Sequence, residues 1–342
     1  MKSKKKYVIS VLFFVILLVF TYYVLFKNND IKDVLNSLKT MSYRYLIIGV
    51  ALVLIYLFTE AIYIKISLKS LNSKISLWQG FVYSCTEFYF SAITPSSTGG
   101  QPAQAYYMSK DGVPFTKSSV ILILNTITFK FVLIIMGLFA IIFYPRLIFN
   151  NSIVFTIVFI FGIVCNITMI IVCLALMYSK KWINKIAIFL INIGAKLHII
   201  KNKEAKLEKV QSYIAEYHES ANYIKNHLSV AFKITILTVF QRLAMFSIAY
   251  VVYRSFGLNT FSYVELVVIQ IGVALAIDSL PLPGGIGASE ALLLLIYKKL
   301  FSENLVVPAM LVTRGLSYYL CLLLSGAVVL ENHLRLLFRK EN

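Results

Sequence analysis

Long apolar runs separated by short basic connections set the pattern of this chain. Six of them reach about twenty residues, enough to cross the hydrocarbon of a bilayer as a helix. They cover Tyr7–Phe26, Tyr45–Leu68, Ser118–Phe143, Ile153–Tyr178, Leu228–Tyr253 and Leu305–Leu330. Two shorter apolar runs, Trp78–Ile93 and Phe261–Ile277, each stop at a cluster of proline and glycine. The first cluster reads TPSSTGGQPAQAYY (Thr94–Tyr107) and the second DSLPLPGGIGASEA (Asp278–Ala291). A new helical run follows each, from Pro102 to about Asp111 and from Ala288 to Leu300.

This pattern predicts an all-α polytopic integral membrane protein with about six full spans and two re-entrant helical hairpins arranged as an inverted repeat. Backbone that leaves a helix at membrane depth survives only where it lines a cavity or packs in protein. Paired breaks in corresponding positions of two halves mark the binding site of a transporter. The whole of 1–342 reads as one domain. Its first half runs to about residue 178, a basic amphipathic segment occupies about 179–227, and the second half is 228–342.

Composition agrees: 59% of the 342 residues are hydrophobic. The formal charge of +18 lies in tails and loops, which argues against nucleic-acid binding and for topology. With the N-terminal KSKKK in the cytoplasm and both breaks read as hairpins, the 179–227 stretch falls inside. So does the Arg335–Arg339–Lys340 tail. The first hairpin then enters from the cytoplasm and the second from outside. The start MKSKKK resembles a signal peptide, but its apolar run is too long and no small-residue cleavage site follows, so it reads as an uncleaved span. The apolar stripe Leu207, Val210, Ile214, Tyr217, Ala221, Ile224 and Leu228 suits a helix lying on the cytoplasmic interface. So does the upstream stripe Ile183, Ile186, Leu190, Ile193 and Leu197. Packing against the bundle and a coiled coil are the alternatives. The cysteines (Cys85, Cys165, Cys173, Cys321) have no paired spacing, no HExxH-like pattern occurs, and no metal or cofactor is expected.

Chemistry is expected at the breaks. Ser97 or Thr98 is a suitable cap for the helix after Gly99 and Gly100, with Pro102 in its first turn and Gln101 and Gln104 at the mouth. Beyond Gly284 and Gly285, Ser289 and Glu290 fall in the first turn of the next helix. Free N–H groups and the positive dipole end of such helices favour an anion such as phosphate. Ionisable side chains within spans are costly and therefore candidates for function. These are Glu60, Glu87, Lys130, Arg242, Asp278 and Arg314. Arg242 and Arg314 suit a phosphate through paired hydrogen bonds. An internal ion pair with Asp278 or Glu290 is the alternative, and Glu87 with Lys130 is a candidate intramembrane pair. Tyr106, Tyr107, Tyr318 and Tyr319 read as packing residues near the breaks.

The stretches TPSSTGGQPAQAYYMSKDGV (Thr94–Val113) and LPLPGGIGASEALLL (Leu280–Leu294) resemble the lysylphosphatidylglycerol synthase transmembrane family. QRLAMFSIAYVVYRSFG (Gln241–Gly257) and TRGLSYYL (Thr313–Leu320) support the likeness. That family includes the flippase half of the multiple peptide resistance factor and many stand-alone membrane proteins. Gln101 and Gln104 stand where many members carry an acidic residue and an arginine. The resemblance implies movement of a phospholipid, such as aminoacylated phosphatidylglycerol, between leaflets of a bacterial plasma membrane. Envelope charge and resistance to cationic antimicrobials would follow. Two-part relatives attach lysine from charged tRNA through a soluble synthase domain. This chain has no room for one after its last span, so aminoacyl transfer by it alone is not expected. The other readings are the membrane part of a phosphatidylglycerol lysyltransferase, and a non-catalytic partner of a separate synthase or envelope enzyme.

Overall fold

The computed structural model describes residues 38–94, 97–150, 152–179, 203–280 and 287–338, with isolated positions 32, 36, 182, 184, 185, 188, 189, 191, 192, 282 and 285. The expected first span, the upstream stripe from Ile183 to Leu197, the prolines Pro95, Pro281 and Pro283, Gly284 and the Arg339–Lys340 tail lie outside the described residues. Among the described residues the regular structure is all helical.

Among the described residues five helices are long and apolar enough to cross a membrane. They are α1 (Tyr43–Ser70), α4 (Phe115–Phe143), α6 (Ile153–Tyr178), α8 (Leu228–Ser255) and a last rod. The rod comprises α11 (Glu303–Arg314), a π turn at Gly315–Leu320, and α12 (Cys321–Phe338). Each lies within a few residues of its expected span. The surface confirms the medium: α6 exposes Ile153, Val154, Ile157, Ile160, Phe161, Val164, Ile167 and Ile171. A contiguous apolar face of this size has no place in water. The chain is a multi-pass membrane protein.

Between these rods stand two shorter helices with the same start signal. α2 (Leu77–Ile93) opens with a capping box of Ser76 and Gln79, and α9 (Tyr263–Asp278) with one of Ser262 and Glu265. In each, a serine hydroxyl and a side chain three residues on satisfy the first orphan N–H groups reciprocally. At 17 and 16 residues both fall short of a full crossing. Each ends at a break, followed by α3 (Gly100–Lys110) and α10 (Ala288–Tyr297). A minor helix, α5 (Pro145–Phe149), joins α4 to α6. The cap of α3 differs from expectation. Gly99 occupies it, without a side-chain cap, and its own N–H donates to Thr94 Oγ1 at 2.8 Å. Thr94 thereby ties the end of α2 to the start of α3. Gly287 caps α10 at φ +83°, a backbone region that side chains with a Cβ rarely adopt.

Packing repeats between the halves. α1 runs along α8 at the centre. α2 packs on α1 and α12, as α9 packs on α8 and α4. α3 packs on α4, as α10 packs on α11. These contacts of one half thus have images in the other, with the last spans exchanged, as an approximate two-fold repeat requires, while α6 has no counterpart among the described residues. α6 presses on α9 through Gly162, where a Cβ would collide with the backbone oxygen of Leu275.

The C-terminal part of the amphipathic segment forms α7 (Lys203–Asn226), which makes contact with the bundle. α7 packs on α4, α6 and α8, with Tyr217, Ala221 and Ile224 buried. Tyr217 Oη donates to Leu176 O at 3.2 Å, and burial pushes its phenol pKa up. Protein covers the middle of the stripe, while Leu228 at its end stays exposed.

Candidate functional site

Helix α4 brings the two breaks to one place. Thr126 and Lys130 are four residues apart, on the same face and about 6 Å apart along the axis. Gln101, in the first turn of α3, donates its amide to Thr126 Oγ1. Lys130 Nζ donates to Asp278 Oδ2 at 2.5 Å, and Asp278 is the last residue of α9. One turn of α4 therefore holds the helix after the first break and the helix before the second.

The last rod repeats the arrangement. Arg314 Nε donates to Glu290 Oε1 at 2.7 Å, in the first turn of α10. Four residues on, Tyr318 Oη donates to Ala92 O at 3.1 Å, near the end of α2. The Arg314 guanidinium carbon also stands 4.4 Å from the Tyr318 ring centroid, at cation–π distance. Arg314 precedes the π turn Gly315–Leu320 and Tyr318 lies within it, a distortion that widens the helix and often accompanies function. Glu290 is heavily engaged. Its Oε2 accepts from the Gly287 N–H at 2.7 Å and from Ser289 Oγ at 2.8 Å. Both ion pairs are largely withdrawn from solvent, with side chains 15% and 16% exposed for Lys130–Asp278 and 11% and 5% for Arg314–Glu290.

Arg242 stands between them. Its guanidinium carbon lies 4.2 Å from the Phe129 ring centroid and 5.1 Å from that of Tyr56. One terminal nitrogen donates to Gln241 Oε1 at 3.2 Å and to Tyr56 Oη at 3.5 Å. Its Nε is buried with no hydrogen-bond partner among the described residues. An edge contact from Tyr56 to Phe88 (6.1 Å) and a tilted one from Phe88 to Tyr318 (6.4 Å) extend the aromatic chain to Arg314. Glu87 accepts from Ser91 Oγ at 2.9 Å and lies within electrostatic range of Arg242 and Lys130. Gly100 fits here only because it lacks a side chain: a Cβ would come 2.7 Å from Glu87 O and collide with Ser91 Oγ.

The structure thus joins most of the residues named from sequence and re-pairs some of them. Lys130 bonds Asp278 rather than Glu87, because α4 carries the end of α9 while Glu87 is held by its own helix neighbour. Arg314 takes the ion pair with Glu290, whereas Arg242 has no carboxylate at ion-pair distance among the described residues. Gln104 is 1% exposed and donates to Tyr83 O at 3.2 Å, so it ties α3 to α2 rather than facing the mouth of the break. Gly99 is the α3 cap and Gly285 sits at φ +66°. Thr126, Phe129, Tyr56, Gln241 and Ser91 were not singled out by sequence. Only the four-residue spacing of Thr126 from Lys130 could have flagged any of them.

Charges of both signs therefore meet at half-buried depth where two helix breaks converge, an arrangement suited to a ligand with an anionic and a cationic group. Among the described residues no three His, Cys, Asp or Glu side chains gather as a metal site. No curated protein matches the chain. The family described as lysylphosphatidylglycerol synthase TM region matches residues 7–325, nearly the whole length. This chain belongs to that family.

Proposed function

We propose that the protein is a phospholipid flippase. It moves phosphatidylglycerol, its aminoacylated form or a related lipid between the leaflets of a bacterial plasma membrane, with both termini in the cytoplasm. The consequence is control of envelope charge and of resistance to cationic antimicrobials. The observation that carries this reading is the attachment of both breaks to one turn of α4, with Arg242 alongside. The headgroup passes between the breaks while the acyl chains stay in lipid. Arg242, whose Nε has a donor to spare, and Arg314 hold the phosphate. As phosphate takes over Arg314, Glu290 is released, and with Glu87 and Asp278 it meets the ammonium groups of an aminoacyl headgroup. Exchanging one charge partner for another avoids stripping water from a bare ion.

Lipid that co-purifies with the protein tests this. Extraction in mild detergent and mass spectrometry should find phosphatidylglycerol or its aminoacylated form enriched about tenfold or more over bulk lipid, which corresponds to about 1.4 kcal/mol of preference. Co-purified lipid that mirrors the bulk membrane would count against the reading. The family description favours a second reading, the membrane part of a lysyltransferase. Lysyl transfer from charged tRNA to phosphatidylglycerol by the purified chain would establish it.

A further inference from the structure

One buried carboxyl group is left over by this mechanism. Glu60, in the middle of α1, is 4% exposed. Its carboxylate accepts from Gln241 Nε2 at 3.1 Å. It has no ion pair among the described residues, unlike Asp278 and Glu290. A carboxylate withdrawn from water and held by neutral groups is poorly compensated as an anion and well suited as a neutral acid. Ser84 Oγ, fully buried, lies beside Glu60. Its hydroxyl serves either state, donating to the carboxylate or accepting from the protonated acid.

The surroundings tie that proton to the lipid site. Facing Glu60 are Tyr56 and Tyr63 from α1, Cys85 and Glu87 from α2, Gln241 and Arg242 from α8, and Cys321 from α12. Arg242 is the one cation among these groups, and Gln241 bridges it to Glu60, one end of the amide on each. A phosphate arriving at Arg242 cancels the positive field that supports a charge on Glu60.

We infer that Glu60 is a proton-binding site that couples lipid movement to the proton gradient: binding of an anionic headgroup at Arg242 is accompanied by uptake of one proton at Glu60, and both are released on the opposite side. The inference rests on the flippase reading. Its balance is simple: one carboxylate gains one proton on loading and loses it on release, and no bond to carbon or phosphorus changes. One proton moving with one singly charged phosphatidylglycerol is electroneutral.

The test uses purified full-length protein in phosphatidylcholine vesicles with a trace of acyl-labelled phosphatidylglycerol. A pH difference of about one unit should drive about a tenfold leaflet asymmetry of the label in the direction of proton flow, since one unit is a tenfold ratio of proton activity. Clamping the membrane potential with potassium and valinomycin should leave that asymmetry unchanged. In Glu60→Gln the asymmetry should vanish while the label still equilibrates without a gradient, which also shows that the variant is folded. Glu60→Asp should restore part of the response. Label that equilibrates but ignores the pH difference would overturn the coupling and leave the flippase intact. So would a response to sodium instead, or an undiminished one in Glu60→Gln. No lipid movement under any gradient would overturn both.

Discussion

Arg314→Ala should slow lipid translocation about a hundredfold while the helices remain folded. Arg314 supplies a charge-assisted bond of 2.7 Å to Glu290 and a stacked cation above Tyr318. Losing one partner of a buried charged contact costs about 3 kcal/mol, and each 1.4 kcal/mol is about tenfold in rate. The fold should tolerate the change better than that figure implies. Glu290 keeps the Gly287 N–H and the Ser289 hydroxyl, and it stays at the positive end of the α10 dipole. Arg314→Lys keeps the charge but not the planar fork, and should recover only part of the rate. The readout is dithionite quenching of labelled lipid in reconstituted vesicles, with size-exclusion profiles as the control for folding. Wild-type rates in Arg314→Ala would remove this residue from headgroup binding.

Lys130→Met should act mainly on stability. Asp278 is the last residue of α9, where the helix dipole already opposes a negative charge. Lys130 is its salt-bridge partner, so truncation leaves a mostly buried carboxylate unpaired at an unfavourable helix end. Breaking such a pair from one side costs about 3–5 kcal/mol. Thermal unfolding in detergent should show a clear drop in midpoint. Adding Asp278→Leu should restore most of it, because the double variant leaves no orphan charge. Translocation should stay impaired in that double variant, since the end of α9 has lost its polar tie to α4. A single variant as stable as wild type, or a double variant no better than the single, would contradict the geometry. The opposite behaviour of the two ion pairs, one weighted to transport and one to fold, follows from which helix end each carboxylate occupies.

Much of the architecture was legible in the sequence because membrane constraints are severe. Twenty-residue apolar runs permit little except helices, and proline beside glycine marks where a helix must stop. Arg314 was identifiable because charge inside a span is expensive, and Glu290 because it sits in the first turn after a break. Partner choice was less legible. Lys130 lies in the first half, and nothing local says that it meets Asp278 in the second. That follows from the exchange of last spans between halves, a long-range property. Neutral and aromatic members of the site were hidden for a different reason. Thr126, Tyr56 and Phe129 cost nothing at membrane depth, so their presence raises no question until Gln101 and Arg242 are seen against them. The cap of α3 misled because three hydroxyl residues cluster within Ser96–Thr98, whereas Thr94, still attached to α2, does the holding. The amphipathic stripe of α7 reads the same whether a membrane surface or a neighbouring helix covers it.

The account turns on whether a lipid headgroup crosses where the two breaks meet. Vesicles carrying the purified protein alone, with acyl-labelled phosphatidylglycerol in both leaflets, test this directly by dithionite quenching. We expect the inner-leaflet label to become accessible in wild type, and to stay protected in Arg314→Ala on the same timescale. Inner-leaflet label that remains as protected with wild-type protein as in protein-free vesicles would contradict the account.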